Sequence, residues 1–248
     1  MCRMPFYLYP SFISYGRMRR HKEGDDTMER TKLRDRTLPN YTRGEEIFNM
    51  ASHAAGAAFG VFALIACLVK AAGDVWATVG SAVYGASLII LYSVSGIYHG
   101  LKPNMGKKVM QVLDHCCIYF LIAGTYTPIL FSAIRLVSPT ACWVLFGAVW
   151  GIAAAATVFT AIDHNKYAAL SMVCYLGMGW CIVFAIKPAV AAIPKEGLLY
   201  ILWGGIAYTL GAILYGIGSR VRWMHSIFHL FVVLGSVLQF LGILMHVL

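Results

Sequence analysis

Two of the eight histidines in this 248-residue chain stand four positions apart, in His225-Ser-Ile-Phe-His229. On a helix that spacing puts both imidazoles on one face, close enough to share a metal ion. The plainer reading of the pair is two polar rings facing water at a membrane interface. His99 can add a third nitrogen from another segment. Ser95, one helical turn before it, can add a supporting hydrogen bond, although a serine in an apolar helix also bonds simply to the carbonyl four residues back. Three imidazoles leave one position of a tetrahedral zinc site. Asp114 either fills that position and closes the site, or stands behind a water that fills it. Such water has a pKa of about 7, so Asp114 could take or orient its proton. Nitrogen donors without a thiolate pattern favour Zn2+, and other first-row metals are compatible with the same donors.

The segments that must position these groups are apolar. Hydrophobic residues make up 59% of the chain and charged ones 12%, against about 45–50% and about 25% in soluble domains. Seven apolar runs of about 20 residues follow Met50, near 49–69, 75–99, 109–133, 140–162, 167–186, 197–218 and 224–247; each is long enough to cross a bilayer core as a helix. The fold class expected is an all-α membrane protein, a seven-transmembrane helix bundle in the cell membrane. Connections are too short for an extramembrane domain. Gly56-x-x-x-Gly60 and Gly147-x-x-x-Gly151 match a small-residue helix-packing pattern, and Pro128 is placed to kink the third helix.

Loop charges set an expected orientation. Lys102, Lys107, Lys108, Lys166, Arg220 and Arg222 fall on the N-terminal side, and Lys70, Arg135, Lys187 and Lys195 on the other. The tail adds ten more basic residues to the first side. The N-terminus is therefore expected in the cytoplasm and the C-terminus outside. His53, His99, Asp114, His115, His225 and His229 then share the cytoplasmic end, with His246 alone at the opposite face. Ionisable groups inside apolar spans are costly and usually functional. Glu46, Asn49 and His53 form one polar stripe at the entry of the first helix. It reads either as a network supporting the metal site or as an amphipathic helix start with Glu46 near the positive end of the dipole.

Other chemistry is excluded or set aside. The formal net charge of +9 resides at helix ends, where topology and anionic lipid explain it, so no nucleic-acid partner is expected. Seven cysteines occur without a Cys-x-x-Cys spacing and read as packing residues. Residues 1–44 are expected to be a charged, poorly ordered cytoplasmic tail and 45–248 the transmembrane domain. Met4–Tyr15 is apolar but precedes Arg17, Arg19 and Arg20, the reverse of a secretory signal. Met18 and Met28 are candidate alternative starts.

Several blocks together resemble the hemolysin III family, the bacterial branch of the progestin and adipoQ receptor superfamily. They are Glu46-x-x-Asn49-x-x-x-His53, Ser95-Gly-Ile-Tyr98-His99, Leu113-Asp114-His115-Cys-Cys-Ile118-Tyr119 running into Ile122-Ala-Gly-Thr-Tyr-Thr-Pro128, and His225-Ser-Ile-Phe-His229 followed by Gly235-Ser236. The resemblance spans about residues 45–240 and implies a seven-helix bundle with a cytoplasmic N-terminus. It implies Zn2+ held by His99, His225 and His229, with Asp114 as the family aspartate and Ser95 as the serine four before the metal histidine. Relatives often carry a further histidine where this chain has Gln239, outside the three ligands. Eukaryotic members of the superfamily are hormone or steroid receptors with proposed lipid-amide hydrolase, ceramidase-like activity, and the bacterial name derives from haemolysis.

Three functions follow as expectations. The first is an intramembrane zinc hydrolase of a lipid amide or ester, with Asp114 and Ser95 as catalytic residues and membrane lipids as partners and substrate source. The second is a receptor or membrane-stress sensor with structural zinc. The third is a pore-forming haemolysin or channel, for which a continuous polar path is needed and the apolar outer helix halves offer little.

Overall fold

A computed structural model of the protein describes residues 30–218 and 221–248. The Met4–Tyr15 stretch, Arg17, Arg19, Arg20, the candidate starts Met18 and Met28, and Arg220 lie outside the described residues. No strand occurs among those described. Seven helices are long and apolar enough to cross a membrane: α1 (Arg43–Lys70), α2 (Val75–Gly100), α3 (Met105–Val137), α4 (Pro139–Asp163), α5 (Ala168–Ala192), α6 (Lys195–Gly218) and α7 (Met224–His246).

Side-chain caps set the helix starts. Thr42 and Glu45 form a reciprocal capping box at α1. Asp74 accepts from the amides of Trp76 and Ala77 at α2, and Asn104 from that of Lys107 at α3. Ser138 caps α4, whose first residue is Pro139. Each cap satisfies amides that the helix itself leaves unpaired.

Two helix interiors change pitch. Past Pro128, α3 passes through a π-helical turn at Leu130–Ile134 and continues to Val137. Proline has no N–H for the ladder, and a wider turn absorbs the missing bond. In α5 a 3-10 stretch at Cys181–Ala185 joins two α segments and carries the helix to Ala192. The apolar run ends near 186, but Lys187 and Pro188 sit in the first turn of that last segment, where proline costs no bond.

Consecutive helices pack as neighbours, α1 closes against α7, and α3 sits inside the ring touching α2, α4, α5 and α7. Tyr84, Leu88, Tyr92, Tyr119, Leu130 and Ile243 fill the centre, while Phe62, Val144 and Phe184 point outward, as expected of a surface solvated by lipid. The first glycine pair does pack: a Cβ on Gly56 would lie 2.6 Å from the Tyr92 ring, and one on Gly60 3.1 Å from the Ile89 amide. The second pair does not, since a Cβ on Gly147 or Gly151 would meet nothing within 4 Å. The six described cysteines are free.

Candidate metal centre

Four helix ends meet where the sequence concentrates its polar groups. The start of α1 brings Glu46, Asn49 and His53, spaced to share a face. The end of α2 brings Ser95 and His99, the first turns of α3 bring Lys107 and Asp114, and the first turns of α7 bring His225 and His229. The start of α7 is fixed by α1. Trp223, just before it, has φ 67°, a left-handed conformation that costs a bulky residue of order 1 kcal/mol or more. Its amide donates to Glu45 Oε1 at 2.7 Å, while Glu45 Oε2 accepts from the amide and hydroxyl of Thr42. One carboxylate therefore caps α1 and pins the turn that delivers His225.

His99, His225 and His229 converge, one nitrogen from each lying within 4.8 Å of the others, and all three rings are buried. The Nε2 atoms of His225 and His229 stand 3.1 Å apart. An edge of a tetrahedron about a metal with bonds of about 2.0–2.1 Å is about 3.3 Å long. His99 Nε2 has no hydrogen-bond partner, whereas its Nδ1 lies 2.7 Å from Glu46 Oε2 and 3.5 Å from the Asn49 amide nitrogen. A carboxylate on Nδ1 fixes the tautomer and leaves Nε2 free to bind a metal. The donor set therefore fits a metal ion. Of the two readings of the α1 stripe, these contacts favour the supporting network. His53 joins it by stacking on His229 with centroids 3.8 Å apart.

Asp114 is not one of the converging donors. It is 9% exposed, forms no ion pair among the described residues, and has Ser95 as a polar neighbour. Asp114, Ser95, His225 and His229 all line a cavity of about 150 Å³ whose remaining walls are mostly apolar, including Ile118, Leu121, Ile122, Leu176 and Val232. Gln239, also in its lining, lies 14 positions after His225, about 21 Å along α7. At the flank of this cavity α5 and α6 touch only sparsely, and Trp180 Nε1 donates to Thr209 Oγ1 across them at 3.2 Å. His115, next to Asp114, turns aside: Nδ1 donates to the Gln111 carbonyl, Nε2 meets the Tyr215 hydroxyl at 3.1 Å, and the ring packs on His164 at 3.9 Å.

Three participants carry no motif of their own in the sequence. Lys107 reads there as a loop charge, yet it is buried with Nζ 2.7 Å from Glu46 Oε1. Tyr41 reads as part of the tail, yet its ring stacks on His225 with centroids 4.8 Å apart. Burial, then the neighbouring Tyr215, Glu46 and Asp114, hold its phenol above the usual range, so it stays protonated. Arg36, also in the expected tail, is 4% exposed and donates from Nη2 to the Ile162 carbonyl at 2.7 Å, and the Thr31 amide donates to Asp163 Oδ2 at 3.1 Å. Residues 30–42 thus run as a strap from the end of α4 to the histidines. The only advance signal was the Thr42-x-x-Glu45 box, which starts α1 six residues before its apolar run and brings Tyr41 within reach.

Residues 41–240 match the Haemolysin-III related family. The chain is 37% identical over 206 residues to hemolysin-3 of Bacillus cereus, covering 82% of this chain and 92% of that one. It is 34% identical over 208 residues to a hemolysin-3 homolog of Bacillus subtilis (strain 168), covering 83% and 96%. It is 28% identical over 188 residues to the human monocyte to macrophage differentiation factor, covering 72% and 74%. The matched region contains all seven helix starts and each of the converging histidines, and the protein is a multi-pass integral membrane protein belonging to the haemolysin III family.

Proposed function

We propose that His99, His225 and His229 hold a zinc ion at the cytoplasmic end of the bundle, and that the site hydrolyses an amide or ester bond of a membrane lipid. The observation that carries this reading is a buried three-nitrogen cluster at the head of an apolar cavity that the Asp114 carboxylate also lines. Zinc on three nitrogens supplies Lewis acidity and water activated near neutral pH. The chain's own residues supply the rest. Asp114, outside the donor trio but in the same cavity wall, receives and returns a proton, and Ser95 orients it. Ile118, Leu121, Leu176 and Val232 hold an acyl chain and exclude water. The sparse α5–α6 contact offers that chain a lateral way in from the bilayer. Its position outside the trio also favours an open site over the closed four-ligand centre that a purely structural metal would have.

Metal analysis of purified protein tests the first half. About one zinc per chain is expected for wild type and for Asp114→Asn, and none for His225→Ala/His229→Ala. Fatty-acid release from a panel of ceramides, phospholipids and lysolipids tests the second. Zinc-loaded wild type should exceed Asp114→Asn by about 10²–10⁴-fold, the usual worth of a general base. Equal background rates across the panel would eliminate the hydrolase, and ion flux in protein-containing vesicles would favour the pore instead.

A further inference from the structure

Lys107, in the first turn of α3, is 2% exposed. Its Nζ donates to Glu46 Oε1 at 2.7 Å and to the Leu101 carbonyl at 2.9 Å, and lies 5.0 Å from the centroid of the Tyr98 ring. Burying an ammonium costs several kcal/mol unless it is well paired, and an apolar side chain of similar volume often packs as stably. Stability alone is therefore a weak reason for a lysine here. The geometry supplies a better one. Glu46 is shared, with Oε1 on Lys107 and Oε2 on His99 Nδ1 at 2.7 Å. Lys107 can only donate, so the carboxylate it holds presents an accepting oxygen to His99. Nδ1 must then supply the proton, and Nε2 keeps its lone pair toward His225 and His229. The bond to the Leu101 carbonyl at the end of α2 holds the ammonium in place against Glu46.

We propose that Lys107 is a positioning residue of the metal centre, fixing the tautomer and placement of His99 through Glu46. The chain of contacts runs from the α3 start to the α1 carboxylate to the α2 imidazole, so three separate helices set one ligand. The proposal rests on the metal reading above and makes a further demand of it: removing a charge that touches no metal ligand must weaken the metal site.

Zinc titration of metal-stripped protein in nanodiscs, against a chromophoric chelator, tests this. Lys107→Met should weaken zinc binding by about 10–100-fold, the usual worth of a group that orients a ligand. Lys107→Arg keeps a donor and should stay within a few-fold of wild type. Glu46→Gln should weaken binding comparably, and the double variant Lys107→Met/Glu46→Gln should be no weaker than Glu46→Gln alone, since a relay is lost once. Lys107→Gln serves if the Met variant does not fold. A second readout needs no metal. ¹⁵N shifts of the His99 ring in stripped protein should report a single Nδ1–H tautomer in wild type and Lys107→Arg, and a mixture in Lys107→Met. Additive losses in the double variant, or wild-type affinity and tautomer in Lys107→Met, would overturn the proposal. Wild type that takes up no zinc would overturn the metal reading instead, and the ring tautomer would still decide whether Lys107 positions His99.

Discussion

Glu45 offers a test of how the site is assembled, because it touches none of the histidines. Its Oε2 completes the capping box with Thr42, and its Oε1 holds the amide of Trp223, a residue in left-handed backbone. Replacing it by alanine removes the acceptor of the Thr42 amide, a hydrogen bond worth about 1 kcal/mol, and leaves the Trp223 amide without its charged acceptor, worth about 1.5–3 kcal/mol. The two losses together come to about 2.5–4 kcal/mol. At about 2–4 °C per kcal/mol for a chain of this size, the apparent Tm should fall by about 5–16 °C. Glu45→Gln keeps a single accepting oxygen, which can serve Thr42 or Trp223 but not both, and should lose only part of that. The turn before α7 carries His225, so Glu45→Ala should also weaken zinc binding, whereas a carboxylate that only capped α1 would leave the metal unaffected. Thermal unfolding in nanodiscs by tryptophan fluorescence, with zinc titration on the same samples, reads both effects. A Glu45→Ala protein within about 2 °C of wild type would show that Glu45 does not pin α7.

Three more outcomes follow. Gly56→Ala drives a Cβ into the Tyr92 ring, which is fully buried and bonded to Ser236 at 2.6 Å; the overpacking should cost about 1–3 kcal/mol, while Gly151→Ala should leave the apparent Tm unchanged. Arg36→Ala loosens the strap by removing one of its two guanidinium bonds to the Ile162 carbonyl, the other coming from Arg30, so trypsin should cut at Lys32 and Arg34 faster and a soluble chelator should strip zinc sooner; unchanged rates in both assays would remove the strap from the site's defences. Burial, and then Arg36 beside it, push His164 from 6.5 down to about 4, against a weaker pull from Asp163. The unfolded chain then binds more protons between those pH values, so stability falls as pH drops from about 6.5 to 4, by at most about 3 kcal/mol from this group. His164→Phe, which still packs on His115, should flatten that slope in Tm against pH.

The parts of this structure that were legible in the sequence are those fixed within one segment. Seven helices follow from apolar runs of sufficient length, and the pairing of His225 with His229 follows from their spacing alone. Helix ends were less legible, because hydropathy does not set them. The first helix begins at Arg43, inside a polar stretch, because Thr42 and Glu45 cap it there. The fifth runs on to Ala192 past Lys187 and Pro188 because a new helical segment begins at Ile186 and accepts the proline in its first turn. The glycine pairs show the same limit. Gly56-x-x-x-Gly60 and Gly147-x-x-x-Gly151 are identical patterns, but a helix has two faces, and only the first pair faces a neighbouring helix.

Lys107 is the strongest case of a residue whose meaning lies outside its own segment. Read along the chain, it is one of three lysines near a short loop and adds to the count that orients the bundle. Read in space, it is a buried cation, and what makes burial tolerable is Glu46 on a helix that began more than sixty residues earlier. The two readings do not compete. A charge placed at the end of a spanning helix for topology is within a side chain's length of whatever the neighbouring helix ends bring, and α1 and α2 bring Glu46 and His99. The bilayer confines polar groups to the ends of the helices, and the turn-to-turn connections force alternate ends together. A polar cluster built at one end therefore draws its three histidines, their carboxylate and the lysine behind it from four helices with little extra polar burial along the bundle.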